Sequence, residues 1–307
     1  MPLDVRAPVV VLAGGTGGAK LARGMRDVCD ELVVIANTGD DIEIYGAHVS
    51  PDPDLCTFWL ADRIDERGWG LAGDTFVVME TLRELGYDVW FNLGDRDLAV
   101  GLRRAQRMAE GARLTEALLE LGEAMGAGAA VLPMTDAPVR TVIRSGGQRI
   151  PFQEFMIRER AAAPIDDVVF EGVEDAAPPP EALAAIAAAR AIVIGPSNPV
   201  ISIEPILRVP GMRDALKASA APVVAVSPIV GGRVLKGPTE AFLRWAGRSV
   251  DAAGVAAFYG DLLDGLVADE QPEGIDIPVH VTDTNLGDPA ARARVAGEVL
   301  RFAEELR

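Results

Sequence analysis

One arrangement recurs along this chain and restricts its fold more than any other feature: a short β-branched run, a turn rich in Gly, Asp, Asn, Ser or Pro, then a helix-like stretch. It occurs as VVVLAGGTGG at 9–18, ELVVIANTGDD at 31–41, DVWFNLGDRD at 88–97, AAVLPMTDAP at 129–138, AIVIGPSNPV at 191–200 and APVVAVSPIVGG at 221–232. Helical stretches such as DTFVVMETLRELG and LTEALLELGEAMG lie between them. Alternating strands and helices predict an α/β fold, a Rossmann-like, mostly parallel sheet with helices on both faces. In such sheets ligands bind beyond the carboxyl ends of the strands, where this chain keeps its unusual residues.

The rhythm breaks between Arg140 and Val173, where short strands and turns carry no long helix, and resumes near Pro180 and Glu181, which suit a helix first turn. The expected division is therefore a core of residues 1–139 and 176–307 with a small inserted α+β subdomain at 140–175.

Bulk properties narrow the function. The 307 residues, 49% of them apolar, suffice for a sizeable core. A net charge of −17 argues against a nucleic-acid or membrane-surface binder, so any phosphate must be held locally. No run reaches the length of a membrane span, and Cys29 and Cys56 show no metal-ligand spacing and no signal peptide upstream. Free thiols in a reducing cytoplasm are expected. His48 and His280 are the only histidines, which speaks against a histidine-centred mechanism.

The loop at Gly14, Gly15, Gly17 and Gly18 sits between a strand and a helix, where backbone N–H groups can meet an anion at a positive helix end. Its spelling matches neither common phosphate loop. Ala19 and Leu21 flank Lys20 where a Walker loop needs Gly and Ser or Thr, and counting from Gly15 the sixth position of a dinucleotide fingerprint is Lys20.

Acidic residues gather near it. NTGDD places Asp40 and Asp41 after a strand, and SPDPD places Asp52 and Asp54 before an apolar helix. Turn chemistry or helix N-capping explains each singly. Together, four carboxylates facing an anion loop suit Mg²⁺, which joins one or two carboxylates to substrate phosphates. In GDRD, Arg96 stands between Asp95 and Asp97, either in a structural ion pair or directed at a phosphate or carboxylate. In GPSNP, two prolines hold Ser197 and Asn198 in a rigid turn that serves local bonding or recognition of a base edge.

AGGTGGAK, NTGDD, VSPDPD, GWG, LGDRDLA, LPMTDAPV, FQEF, GPSNPVISIEPIL, PGMRDAL and VVAVSPIVGG follow one another in an order that resembles the CofD family, the 2-phospho-L-lactate transferases of coenzyme F-420 biosynthesis. The resemblance spans nearly the whole chain. It implies a cytoplasmic homodimer with Mg²⁺ as cofactor. The implied reaction carries a phospho-acid from a guanosine-diphosphate-linked donor to the ribityl hydroxyl of 7,8-didemethyl-8-hydroxy-5-deazariboflavin, releasing GMP.

Carried over by position, the resemblance implies that Gly14, Gly15, Thr16, Gly17 and Gly18, with Lys20, meet the donor diphosphate. Asp40 and Asp54 then hold Mg²⁺ or position the acceptor, and Ser197 and Asn198 bind guanosine. The family has a cation two residues before the glycine of GDRD. This chain has Asn92 there, so the acceptor contact falls to Asn92 or moves to Arg96, and Asp54, Asp40 and Arg96 are the candidate catalytic residues. Two other functions compete: a non-catalytic nucleotide-sugar-binding regulator of the same fold, and an NAD enzyme, which the failed fingerprint disfavours. No motif announces whether the donor carries lactate, enolpyruvate or glycerate.

Overall fold

The computed structural model describes residues 7–235 and 237–307; positions 1–6 of the expected core, and 236, lie outside the described residues. In chain order β1 (Val9–Ala13) and β2 (Leu32–Ala36) precede a hairpin, β3 (Ile42–Ile44) and β4 (Ala47–Val49). After β5 (Ala130–Pro133) come β6 (Arg140–Ser145), β7 (Gln148–Pro151) and β8 (Asp167–Glu171). After β9 (Ala191–Ile194) and β10 (Val223–Val226) come the short pair β11 (Ile229–Val230) and β12 (Arg233–Val234), then β13 (Gly265–Ala268) and β14 (Val279–Val281).

Seven of these form one sheet in the order β14-β13-β10-β9-β1-β2-β5, with every neighbouring pair parallel. Continuous apolar runs build its centre because both faces are covered. Strand periodicity sends Val10 and Leu12 into one core and Val9, Val11 and Ala13 into the other. The chain winds outward from β1 through β2 to β5, returns to β9 beside β1, and winds outward the other way. The order therefore reverses between β1 and β9, which opens a crevice at their carboxyl ends.

Helices α1 (Gly15–Arg26), α2 (Pro51–Leu60), α3 (Val77–Glu84), α4 (Asp95–Ala109) and α5 (Leu114–Met125) all fall between β1 and β5. In the segment expected as an insertion, β7-β6-β8 form an antiparallel sheet joined by the short helix α6 (Phe152–Ile157). Phe152 and Phe155 pack there with Ile143 against Val200, Ile201 and Phe242.

One expectation about a strand needs correction. DVWF is not a strand: Val89, Phe91 and Leu93 instead pack with Ala47, Val49, Met79 and Leu98 in a separate small core over the β3-β4 hairpin. Conversely, β13 and β14 join the sheet although their four and three residues make no conspicuous apolar run. No helix among the described residues is long and apolar enough to cross a membrane.

Candidate active site

The glycine loop caps the carboxyl end of β1, and the Gly195–Pro199 turn caps that of β9. The two touch backbone to backbone. A Cβ on Gly195 would lie 2.9 Å from the Gly18 Cα, and one on Gly18 2.7 Å from the Ser197 Oγ. At Gly17 a Cβ would run into the Pro196 carbonyl oxygen, and at Gly14 it would lie 2.6 Å from the Ser202 Cβ. Of the four loop glycines only Gly15, at φ 65°, needs the left-handed region. The glycines thus also let two loops meet, a role their position between a strand and a helix does not announce. Gly18 lies behind the contact, away from the cavity lining.

The Gly14 N–H donates to the Ser197 Oγ at 3.3 Å and the Gly15 N–H to the Asp52 Oδ1 at 2.6 Å. Above them opens a cavity of about 330 Å³, lined by residues 14–17, Lys20, Asp40, Asp52, Ser197 and Asn198, with Phe152 and Met156 from α6 and the 227–228 and 284–286 segments opposite. The Lys20 ammonium lies 5.6 Å from the centre of the Trp59 ring.

The turn residues are partly consumed by their own loop. Asn198 accepts through Oδ1 from the Val200 and Ile201 N–H groups at 3.0 and 3.3 Å, so its carbonyl oxygen does capping work rather than reading a base edge. Its amide nitrogen, on a residue only 8% exposed, has no partner among the described residues. That nitrogen is what Asn198 can offer a ligand.

Of the four carboxylates, the structure brings Asp40 and Asp52 to the cavity and sends the others elsewhere. Asp52 also accepts from the Asn37 Nδ2 at 2.9 Å. Asp40 keeps its buried Oδ1 without a partner among the described residues. Burial pushes both carboxyls up, Asp52 to about 6, and the Asp52 charge raises Asp40 further, well above the usual carboxylate range. Asp41 instead accepts from Ser50 at 2.7 Å and faces the His48 Nε2 at 2.9 Å.

Asp54 is the main correction. Both of its oxygens face Arg104, a fully buried guanidinium that also donates to the His48 carbonyl oxygen at 2.9 Å. Burial raises the Asp54 carboxyl and the Arg104 charge opposes it. Asp54 does not line the cavity, and neither it nor Asp52 is the N-cap of α2, since Ser50 holds that position. Two residues apart on a helix, at 100° per residue, Asp52 and Asp54 point to opposite sides. Asp52, which shares a motif with Asp54, is the carboxylate to pair with Asp40. The sequence alone does not single out Arg104, because an arginine in an amphipathic helix carries no signal of its own.

The GDRD segment is the N-terminus of α4. Asp95 accepts from the Thr75 hydroxyl and from the Val77 and Val78 N–H groups at 2.6 to 3.1 Å, capping α3. Arg96 donates to the Ala72 carbonyl oxygen at 3.1 Å rather than to a flanking carboxylate, and Asn92 accepts from Arg83 at 2.7 Å. Both are exposed and neither lines the cavity. Asp97 is pushed up to about 7 by burial and by the charges of Asp54 and Asp74.

Among the described residues no group of three or more His, Cys, Asp or Glu side chains could hold a metal ion. Two buried carboxylates, one with an unpartnered oxygen, nonetheless fit a hard divalent cation that takes its other ligands from water and phosphate.

Known proteins resemble this chain along its length. The family model described as 2-phospho-L-lactate transferase CofD matches residues 9–283. The phosphoenolpyruvate transferase of Thermobifida fusca is 40% identical over 97% of this chain and 98% of its own. The 2-phospho-L-lactate transferase of Methanosarcina mazei is 39% identical over 93% of each chain. A crystal structure of a UPF0052 family member from Bacillus halodurans, 18% identical, covers 95% of this chain and 98% of that one with a TM-score of 0.59, a likeness of fold.

Proposed function

This chain belongs to the CofD family, and we propose that, as a transferase of coenzyme F-420 biosynthesis, it moves a phospho-acid from a guanosine-diphosphate-linked donor to the ribityl hydroxyl of 7,8-didemethyl-8-hydroxy-5-deazariboflavin. A P–O bond forms from that hydroxyl to the phosphorus bearing the acid, the P–O bond to GMP breaks, and the hydroxyl proton is released. The supporting observation is one cavity at the β1/β9 crevice that joins the α1 amides, Lys20 and the Asp40–Asp52 pair.

The N-terminus of α1 favours the donor diphosphate through its dipole and its N–H groups. Asp40 and Asp52 would hold Mg²⁺, which supplies charge neutralisation for the phosphates and the departing GMP. This chain's own part is to fix the diphosphate against oriented amides, so that little reorganisation remains when the hydroxyl arrives. The ribityl hydroxyl of the acceptor must enter this same cavity beside Asp40 and Asp52, whereas Asn92 and Arg96, exposed outside it, are left to meet the deazaflavin ring, and Asp54 is locked by Arg104 on the side of α2 turned away from the cavity. There Asp54 acts as a positioning residue that sets α2. The family resemblance also carries the expectation of a cytoplasmic homodimer.

The acid is lactate, enolpyruvate or glycerate, and the relatives' names divide between the first two. Incubating the protein and Mg²⁺ with the deazaflavin and each guanylated donor, then weighing the product, tests the reading. One donor should yield a deazaflavin heavier by its phospho-acid with one GMP per turnover. Binding of GDP without any adduct from all three donors would instead favour the non-catalytic regulator.

A further inference from the structure

We propose that the segment from Thr282 to Asp288 is a strap forming the nucleoside-side wall of the donor pocket, and that the Thr284 hydroxyl hydrogen-bonds the nucleoside of the donor. The inference rests on the nucleotide-linked donor proposed above. The family model ends at residue 283, so the match assigns nothing to Thr284.

The strap leaves the edge strand β14 and runs to the helix Pro289–Glu305, which packs beside α1 through the contact of Gly24 with Arg292. It is tied at several points. The Thr282 N–H donates to the Ala268 carbonyl oxygen at 2.9 Å, and Arg294 donates to the Thr282 hydroxyl at 2.8 Å and to the Asp283 carbonyl oxygen at 2.5 Å. Leu286 is buried in the same core as Ala19 and Leu21 of α1, and Asp288 caps the following helix through the Ala291 N–H. A segment so anchored has a fixed inner face.

Within it Asp283 and Asn285 are exposed, whereas Thr284 is 3% exposed, lines the cavity, and keeps its hydroxyl unpartnered among the described residues. A buried hydroxyl without a partner costs stability, and its persistence at a cavity wall marks where a ligand's polar atom belongs.

Charge and topology say which part of the ligand. The anion-favouring groups, the α1 N-terminus and Lys20, sit at β1, and the carboxylate pair lies beyond it on the β2 side. Going the other way, the cavity passes the carboxyl ends of β9 and β10, through Ser197 and the 227–228 segment, before it meets the strap that leaves β14. The strap offers no uncommitted cation, since Arg294 is bonded within it. A neutral hydroxyl that can donate and accept suits a sugar hydroxyl or a base edge.

The test is GDP binding by calorimetry, with pyrophosphate as competitor, to wild type, Thr284→Val and Thr284→Ser, all with Mg²⁺. Thr284→Val keeps the shape and should weaken GDP about 5- to 10-fold. It should leave the pyrophosphate inhibition constant unchanged and the ligand-free melting temperature unchanged or higher, while Thr284→Ser stays near wild type. Should pyrophosphate compete with none of the three, the loss of GDP affinity in Thr284→Val at an unlowered ligand-free melting temperature, with Thr284→Ser near wild type, decides alone. Unaltered GDP affinity in Thr284→Val, or equal losses for GDP and pyrophosphate, overturns the assignment and leaves the nucleotide donor standing. Wild type that binds pyrophosphate but no GDP removes the donor reading and this inference with it.

Discussion

The crevice at β1 and β9 and the α3–α4 junction are built from the same kinds of residue, acidic and glycine-rich turns leading into helix N-termini, yet they differ in how their polar atoms are satisfied. At the junction Asp95 collects three donors, and Asp74 accepts from the Thr75, Arg96 and Asp97 N–H groups in the space that Gly94 leaves open. At the crevice the Asp40 Oδ1, the Asn198 Nδ2 and the Thr284 Oγ1 have no partner among the described residues. Folded proteins pair nearly all their buried polar groups, so the contrast separates a joint from a binding site better than motif spelling does.

The largest expected effect falls on the Asp54–Arg104 pair, whose guanidinium keeps its Nε without a partner among the described residues. Asp54→Ala strands the Arg104 guanidinium in the interior, a loss on the order of 3–5 kcal/mol, and thermal unfolding should show it as a clear fall in melting temperature. Folded Asp54→Ala protein should still bind GDP. A variant as stable as wild type would mean that the pair contributes nothing and that Asp54 is held for another purpose.

Asp40→Asn should do the opposite, cutting transfer on the order of 10²-fold or more while the ligand-free protein becomes more stable at pH 7.5. The sign follows from the raised carboxyl. The folded state binds its proton more tightly than the unfolded chain, so this group weakens the fold progressively as pH climbs from about 4 through its raised folded value. The amide therefore gains at pH 7.5 and gains nothing near pH 4. Mg²⁺ should raise the melting temperature of wild type at pH 7.5 and not that of Asp40→Asn. Equal responses in the two proteins would remove the cation from this pair.

Gly17→Ala comes next. Its methyl group meets the Pro196 carbonyl, so a cost of roughly 1–3 kcal/mol is expected, with GDP affinity falling alongside stability. Lost affinity at an unchanged melting temperature would favour the reading of this glycine as anion space.

Asp97→Asn should give the smallest effect. With the carboxyl raised to about 7, its ionisation weakens the fold between about pH 4 and 7, so the amide should flatten that decline and raise the melting temperature at pH 8. Superimposable pH profiles would show that the loop relaxes to hydrate the charge.

Much of the layout could be read from residue order alone. Five of the six strand-and-turn runs became sheet strands, and the two loops expected to bind phosphate and nucleoside stand side by side where the strand order reverses. DVWF misled because its apolar residues found a local partner in the β3-β4 hairpin, and a strand-like run does not say which core it will join. The choice between Asp52 and Asp54 depended on which side of α2 met the sheet, a tertiary fact absent from the spelling SPDPD. Arg104 and Thr284 were unreadable because an ordinary residue type becomes unusual only once it is buried.

Arg104 has a consequence for motion. Its guanidinium sits at 0% exposure, joined to Asp54 of α2 and to the His48 carbonyl of β4, and it is carried by α4. Lifting α4 alone would leave Asp54 buried and unpaired, and moving α2 alone would leave Arg104 so, which makes partial opening costlier than concerted opening. Hairpin, α2 and α4 should therefore come away together, and hydrogen exchange should find their slowest amides released at one common rate.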